Sequence, residues 1–279
     1  MTGELLLRAR DLVKQFPVAG TAGLFRPARL FTAVGGVSFD LHAGETLALV
    51  GESGSGKSTT ARLAARLLDV TSGTVELAGQ DVTTRKGKDL AAVRRTVQVV
   101  FQDPFSSLNP RHTVERIVTA PLLYQKRDIP GGSREFTRTL LDRVGLNPDW
   151  LNRYPAQFSG GQAQRIGIAR ALAVGPRVLV CDEAVSALDV SVQAQIINLL
   201  RDLQAEEGFG CLFIAHDLAV VRQIATSVAV MTAGRVVEAG DRDTVFGDPQ
   251  HEYTRRLLAA VPRIRPEWEA ARRAKAAAR

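Results

Sequence analysis

Four short apolar runs in this sequence each end on residues that can do chemistry. Thr46–Val50 runs into Gly51-Glu-Ser-Gly-Ser-Gly56-Lys57-Ser58, a match to the G-x-x-x-x-G-K-[ST] phosphate loop. Glycines let such a loop fold tightly, so that successive backbone N–H groups and a following helix start point at phosphate oxygens. Gly51, Ser53, Gly54, Ser55, Gly56, Lys57, Ser58 and Thr59 are the expected cradle. In it, Lys57 reaches the β- and γ-phosphates and the Ser58 hydroxyl holds Mg²⁺. Val178–Cys181 ends at Asp182-Glu183. Asp182 is the expected Mg²⁺ carboxylate, and Glu183 the candidate general base for an attacking water. Val97–Phe101 ends at Gln102, and Cys211–Ala215 at His216. In an open parallel sheet, ligands bind beyond the carboxyl ends of the strands. A loop, an amide, two carboxylates and an imidazole therefore converge on one edge.

A second anion-ready feature is Phe158-Ser159-Gly160-Gly161-Gln162, placed just before an amphipathic stretch over Gln162–Val174. One ATP does not need two phosphate-binding helix starts in one chain, so the second points to a nucleotide held by a partner.

The elements that must position these groups alternate. Apolar runs without a wet face read as strands covered on both sides. Helical spacing over 57–68, 162–174 and 192–205 separates them, which predicts a parallel α/β sheet. Val37–His42 alternates as a half-wet strand, while Thr74–Ala78 and the pair Val228–Met231 and Arg235–Glu238 read as antiparallel additions. Residues 17–31, with two prolines and two glycines, read as an inserted loop. Residues 103–158 hold helical patterns but no buried strand, and read as an inserted helical lobe.

Composition removes several classes. The 279 residues are 45% hydrophobic and 23% charged, which excludes a largely disordered chain. The longest apolar runs are strand-sized, far short of the roughly 18 residues of a membrane span. The first residues, with Glu4, Arg8 and Arg10 around Leu5–Leu7, read as neither signal peptide nor anchor, and the chain as cytoplasmic in character. Two cysteines exclude a disulfide scaffold and a four-cysteine metal cluster. Of the net charge of +7, the segment from Arg263 onward supplies +4, which leaves too little on the body to predict a nucleic-acid binder.

Taken together, these motifs resemble the ATP-binding subunits of ABC transporters, over residues 4 to about 245. The carrying residues are the phosphate loop at 51–58, Gln102 in Val-Val-Phe-Gln-Asp, and the signature Phe158-Ser-Gly-Gly-Gln162. Asp182-Glu183, Ser186-Ala-Leu-Asp189 and the switch residue His216 complete the set, in the family's order. The oligopeptide/dipeptide/nickel importer branch is the nearest likeness. Phe101-Gln-Asp-Pro-Phe-Ser-Ser-Leu-Asn-Pro-Arg111, Cys181 to Gln195 and the tail Asp248-Pro-Gln-His-Glu-Tyr-Thr254 carry it. Three positions depart from that branch: Ala184 and Glu252 stand where Pro is usual, and Phe158 stands where Leu is usual.

The resemblance implies a P-loop (RecA-like), mostly parallel α/β core with an antiparallel β subdomain and an inserted helical subdomain. It implies an ATPase domain over 1–245, with the helical part at about 103–172, and a C-terminal importer-type extension over 246–279. Two such domains in this family sandwich two ATPs, so Ser159, Gly160, Gly161, Gln162 and Asp189 would serve the partner's nucleotide. Phe16, or else Phe31, would stack on adenine. Mg²⁺ would sit on Ser58, Gln102 and, through water, Asp182, with Lys57, Gln102, Glu183 and His216 acting on the γ-phosphate. Implied partners are a second ATPase subunit, of the same or a related chain, and two membrane permease subunits. A solute-binding protein takes part indirectly, and the chain sits at the cytoplasmic face of the membrane. Di- or oligopeptide import is the leading function. Import of nickel or another small solute, or an accessory role in a soluble phosphonate-degrading assembly, are the alternatives.

Overall fold

The computed structural model describes residues 3–18 and 29–260. Its strands, in chain order, are β1 (Leu5–Pro17), β2 (Leu30–His42), β3 (Thr46–Val50), β4 (Ser72–Leu77), β5 (Gln80–Asp81), β6 (Val97–Val100), β7 (Val178–Asp182), β8 (Gly210–Ile214), β9 (Ser227–Thr232) and β10 (Arg235–Asp241). Its helices are α1 (Lys57–Ala64), α2 (Leu90–Thr96), α3 (Pro104–Ser107), α4 (Val114–Tyr124), α5 (Ser133–Arg143), α6 (Gly160–Leu172), α7 (Val190–Glu207), α8 (Leu218–Ile224), α9 (Arg242–Gly247) and α10 (Glu252–Ala259).

One sheet has the order β10-β9-β3-β8-β7-β6, and its strands are parallel except for β10 at the edge. The strands β3, β7 and β8 are buried at every residue. Their alternate side chains feed two cores. Leu47, Leu49, Val178, Val180, Leu212 and Ile214 pack with α1 and the second sheet, while Ala48, Val50, Leu179, Cys181 and Phe213 pack with α6, α7 and α8. Double-sided burial is the reason these runs show no alternation. Each fully buried Leu or Phe contributes about 1.5–3 kcal/mol, which makes the sheet a stiff platform for whatever its ends carry. The second sheet, β2-β1-β4-β5, is antiparallel throughout and closes over α1.

Three sequence expectations are corrected. Strand β9 is not an antiparallel addition: the α8 crossover returns the chain parallel to β3, and only β10, joined by the turn at Ala233-Gly234, runs antiparallel. The predicted loop at 17–31 is narrower at both ends. Phe16 pairs with Phe31 and Pro17 with Leu30, so the arms belong to a long hairpin, and the rest of that loop, 19–28, lies outside the described residues. The helix predicted over 57–68 stops at Ala64, because Arg66 turns left-handed (φ 54°). Its buried guanidinium bonds Val82 O, Leu68 O and Asp69. Elsewhere only the ends move: α6 starts at Gly160, α7 extends to Glu207, and β6 stops at Val100.

The segment between β6 and β7 is helical. Val114, Ile117, Val118 and Leu122 of α4 are buried, and Thr113 caps that helix. Trp150 meets Phe158 edge to face, 5.5 Å between centroids. Phe158, standing where Leu is usual, is thus packed on a second aromatic ring. Glu252, in place of Pro, is the first residue of α10, where a carboxylate suits the helix dipole, and it pairs with Arg256 at 3.0 Å.

Candidate nucleotide site

Adjacent strands β3, β8, β7 and β6 end, in that order across the sheet, at the phosphate loop, His216, Asp182-Glu183 and Gln102. The loop is held from below. Gly51 has φ 146°, and a Cβ there would lie 2.1 Å from Met231 O. Gly56 has φ 100°, and its Cβ would lie 2.5 Å from Ala33 O. Neither position tolerates a side chain, so these glycines fix how closely β2 and the β9–β10 turn approach the loop. Gly234 N also donates to Ser55 O at 3.0 Å.

Lys57 is buried, and its Nζ donates to Gly51 O and Glu52 O, both at 2.8 Å. Burial pushes its pKa below the usual lysine range, against the opposing pull of Glu183 and Asp182. The ammonium is thus partly stripped of water and lies beside two carboxylates, a setting in which phosphate oxygens are strong competing partners. Ser58 Oγ donates to Asp182 Oδ1 at 2.6 Å. A serine hydroxyl and a carboxylate within hydrogen-bond reach are hard oxygen donors suited to Mg²⁺, which takes only one or two protein ligands when phosphates and water fill the rest. Among the described residues, no group of three His, Cys, Asp or Glu forms a self-sufficient metal cage. Ser53 and Gly54 are exposed at the loop's crest, Ser55 is buried below it, and Thr59 is half-buried on α1.

Glu183 sits at φ 52°, the left-handed region that a glutamate seldom adopts. Its N–H donates to Ile214 O at 3.1 Å and its carbonyl accepts from Ser186 Oγ at 2.9 Å, so the turn is pinned from both sides. His216 Nδ1 stands 3.8 Å from Glu183 Oε2. A cavity of about 30 Å³ lies among Glu183, Ser186, Gln193 and His216, room for about one water. Gln102 is exposed beyond β6, next to Phe101, whose carbonyl accepts from Gln164 Nε2 at 3.3 Å. Phe16 and Phe31 lie opposite one another, Phe31 58% exposed, with Ala33 against Gly56 beyond them. The two candidate rings thus stand on the β1–β2 pair that reaches the loop through Ala33.

The signature stands apart. Ser159 caps α6 by accepting from Gln162 N, and Gln162 Oε1 accepts from Ser159 N at 3.0 Å, so the glutamine side chain is committed to the cap. Gly160 and Gly161 seat the helix start on Leu188 and Val192, where a Cβ on Gly161 would come within 2.4 Å of Val192 Cγ1. Asp189 caps α7 without a side-chain bond and is exposed. Among the described residues, no hydrogen bond or ion pair joins 159–162 to Lys57, Asp182, Glu183 or His216.

Two neighbours of the site went unread in the sequence. Arg62 Nη2 reaches Asp182 Oδ2 at 3.5 Å. The signal was available, since Arg62 follows Ser58 by one helical turn and shares its face. Tyr253 Oη accepts from Glu52 N at 3.1 Å across 201 positions of sequence, and no local pattern announces such a contact.

Comparisons with known proteins agree with this geometry. Residues 34–186, more than half of the chain, match the ABC transporter family, and residues 237–279 match the oligopeptide/dipeptide transporter C-terminal region. The chain is 51% identical over 260 residues to the probable peptide ABC transporter ATP-binding protein y4tS of Sinorhizobium fredii, covering 93% of this chain and 73% of that protein. It is 52% identical over 272 residues to the glutathione import ATP-binding protein GsiA of Salmonella typhimurium, covering 97% of this chain but only 43% of that one. The chain thus spans less than half the length of the glutathione import proteins it matches. The ATP-binding cassette MJ0796, solved as a dimer bound to ADP and Pi, superimposes with a TM-score of 0.74 at 27% identity, over 85% of this chain and 98% of that one. With this fold and these motifs, the chain belongs to the ATP-binding proteins of ABC transporters, and within them to the branch that carries the oligopeptide/dipeptide C-terminal region.

Proposed function

We propose that this protein is the ATP-hydrolysing subunit of a membrane importer for di- or oligopeptides. The observation that carries the reading is the order of strand ends: loop, imidazole, carboxylate pair and amide on four adjacent strands. In this reading residues 1–245 are the ATPase domain, with about 103–172 its helical part, and 246–279 are an importer-type extension.

Lys57 and the loop N–H groups hold the β- and γ-phosphates of ATP, and a phenyl ring, Phe16 or Phe31, supports the adenine. Mg²⁺, when bound by Ser58, Gln102 and Asp182, neutralises charge on the transferring phosphoryl group. Glu183 takes the proton of the attacking water, and its pinned left-handed turn holds the carboxylate in place before substrate arrives. His216 hydrogen-bonds the γ-phosphate from the neighbouring strand. Ser159 and Gly161 of a second ATPase subunit close the site, since among the described residues no hydrogen bond or ion pair joins them to it within one chain. Asp189 lies on that same interface.

A groove of about 680 Å³ runs between the sheet core and the helical part, with Leu67, Phe101, Ile117 and Tyr124 in its lining. Phe101, the residue before Gln102, lies in its lining, and the groove supports the docking of a cytoplasmic helix of a permease subunit there. ATP-driven closure would then be felt by the transmembrane partner. No described helix is long and apolar enough to cross a membrane, in keeping with a peripheral subunit at the cytoplasmic face. The y4tS relative supports peptide as the cargo class.

The test is Lys57→Ala. Purified wild-type protein should bind Mg-ATP and release phosphate, whereas the variant should lose nucleotide binding. Normal ATP affinity in Lys57→Ala would reject the loop assignment.

A further inference from the structure

The C-terminal extension is wired to the phosphate loop. Glu238 of β10 accepts from Gln250 N at 2.7 Å and from His251 N at 3.0 Å, which fastens the start of α10 to the sheet. His251 Nδ1 accepts from Tyr253 N at 3.1 Å and caps the helix. Tyr253, Leu257 and Leu258 pack on the large core, and Thr254 is buried. From this anchored position Tyr253 Oη accepts from Glu52 N, and Glu52 O is one of the two carbonyls that hold Lys57 Nζ. The matched C-terminal region, 237–279, contains Glu238, Gln250, His251 and Tyr253.

We propose that Tyr253 is a positioning residue for ATP binding: through Glu52 it braces the first turn of the phosphate loop and so the Lys57 ammonium. The inference rests on the nucleotide site proposed above. The brace connects an element outside the cassette's strand ends to the one side chain that must find the phosphates. Its function is to pre-organise the loop, which lowers the ordering cost of binding. The phenol touches neither substrate nor the reacting atoms.

Tyr253→Phe removes the acceptor and keeps the ring in the core. One neutral hydrogen bond corresponds to about a three- to tenfold change. The expected result is a KM for ATP raised by about that factor, with kcat lowered by less than about twofold and the nucleotide-free melting temperature within about 2 °C of wild type. Glu238→Gln, which loosens the same anchor without touching the ring, should raise KM in the same direction, and serves should Tyr253→Phe fold poorly. Unchanged KM in both variants overturns the brace while leaving the nucleotide site standing. A fall in stability and kcat with KM unchanged also overturns it, since that is what a packing role alone would give. If wild-type protein binds no ATP, the nucleotide site fails first and takes the brace with it.

Discussion

The two anion-ready helix starts of this chain are built differently. The start of α1 is enclosed: Lys57 is buried, Ser58 is bonded to Asp182, and the loop is gripped by Met231, Gly234 and Tyr253. The start of α6 is open. Ser159 is exposed, its hydroxyl and the Gln162 amide satisfy only each other's backbone, and the glycines seat the helix on Leu188 and Val192. In the proposed function the first is one half-site, with charge and dipoles aimed at a phosphate. The second has only its capping serine exposed, and its glycines are packed on the chain's own Leu188 and Val192. Catalysis by charge stabilisation needs both faces of the triphosphate covered, so the contrast implies that one chain supplies a different half to each of two sites.

The sharpest break in that contrast is Glu183→Gln. It should cut turnover by ~10²–10⁴-fold while leaving ATP binding in place, measured by phosphate release and by nucleotide titration. Ser159→Arg should lower turnover by ~10²–10³-fold, as the loss of pre-aimed donors does elsewhere, yet leave ATP affinity of the single chain near wild type. An equal loss of affinity would show that the signature serves its own chain's nucleotide. Gly161→Ala acts on the seat rather than the site. With Val192 Cγ1 2.4 Å from the new Cβ, it should cost about 1–3 kcal/mol of stability, read as a lower denaturation midpoint.

The smallest effect concerns pH. Burial pushes the Glu238 carboxyl up, but donors around it, the N–H groups of Gln250 and His251 among them, outweigh that and hold its pKa below the ordinary value. Its contribution is therefore present above the ordinary carboxylate value and lost as pH falls through the lowered one. The small stability difference between wild type and Glu238→Gln should shrink as the solution is acidified past that point, and a difference that grows would reverse the assignment.

Much of the enclosed half was legible in the sequence because each part is local. Gly51 to Ser58 follows a continuous apolar run, and Asp182-Glu183 and His216 end runs of their own, so strand ends could be read one at a time. The contacts that stiffen it were not legible. Tyr253 on Glu52 and Met231 against Gly51 join distant segments, and their geometry depends on how sheets and turns stack. Strand β9 was misread for a related reason: with the turn at Ala233-Gly234 and β10 after it, it looks like one arm of an added hairpin, and the direction of its pairing with β3 is set by α8, a helix of seven residues. The departures Phe158 and Glu252 also make sense only in place, beside Trp150 and at a helix's first turn.

Whether the open half completes a neighbour's site is tested most directly by weighing the molecule. The Glu183→Gln variant should sediment as a single chain of 30.1 kDa without nucleotide and at twice that mass with Mg-ATP, while Glu183→Gln carrying Ser159→Arg should bind ATP and stay single. A Glu183→Gln protein saturated with ATP that never doubles, or one that doubles regardless of Ser159, would contradict a nucleotide shared between two chains.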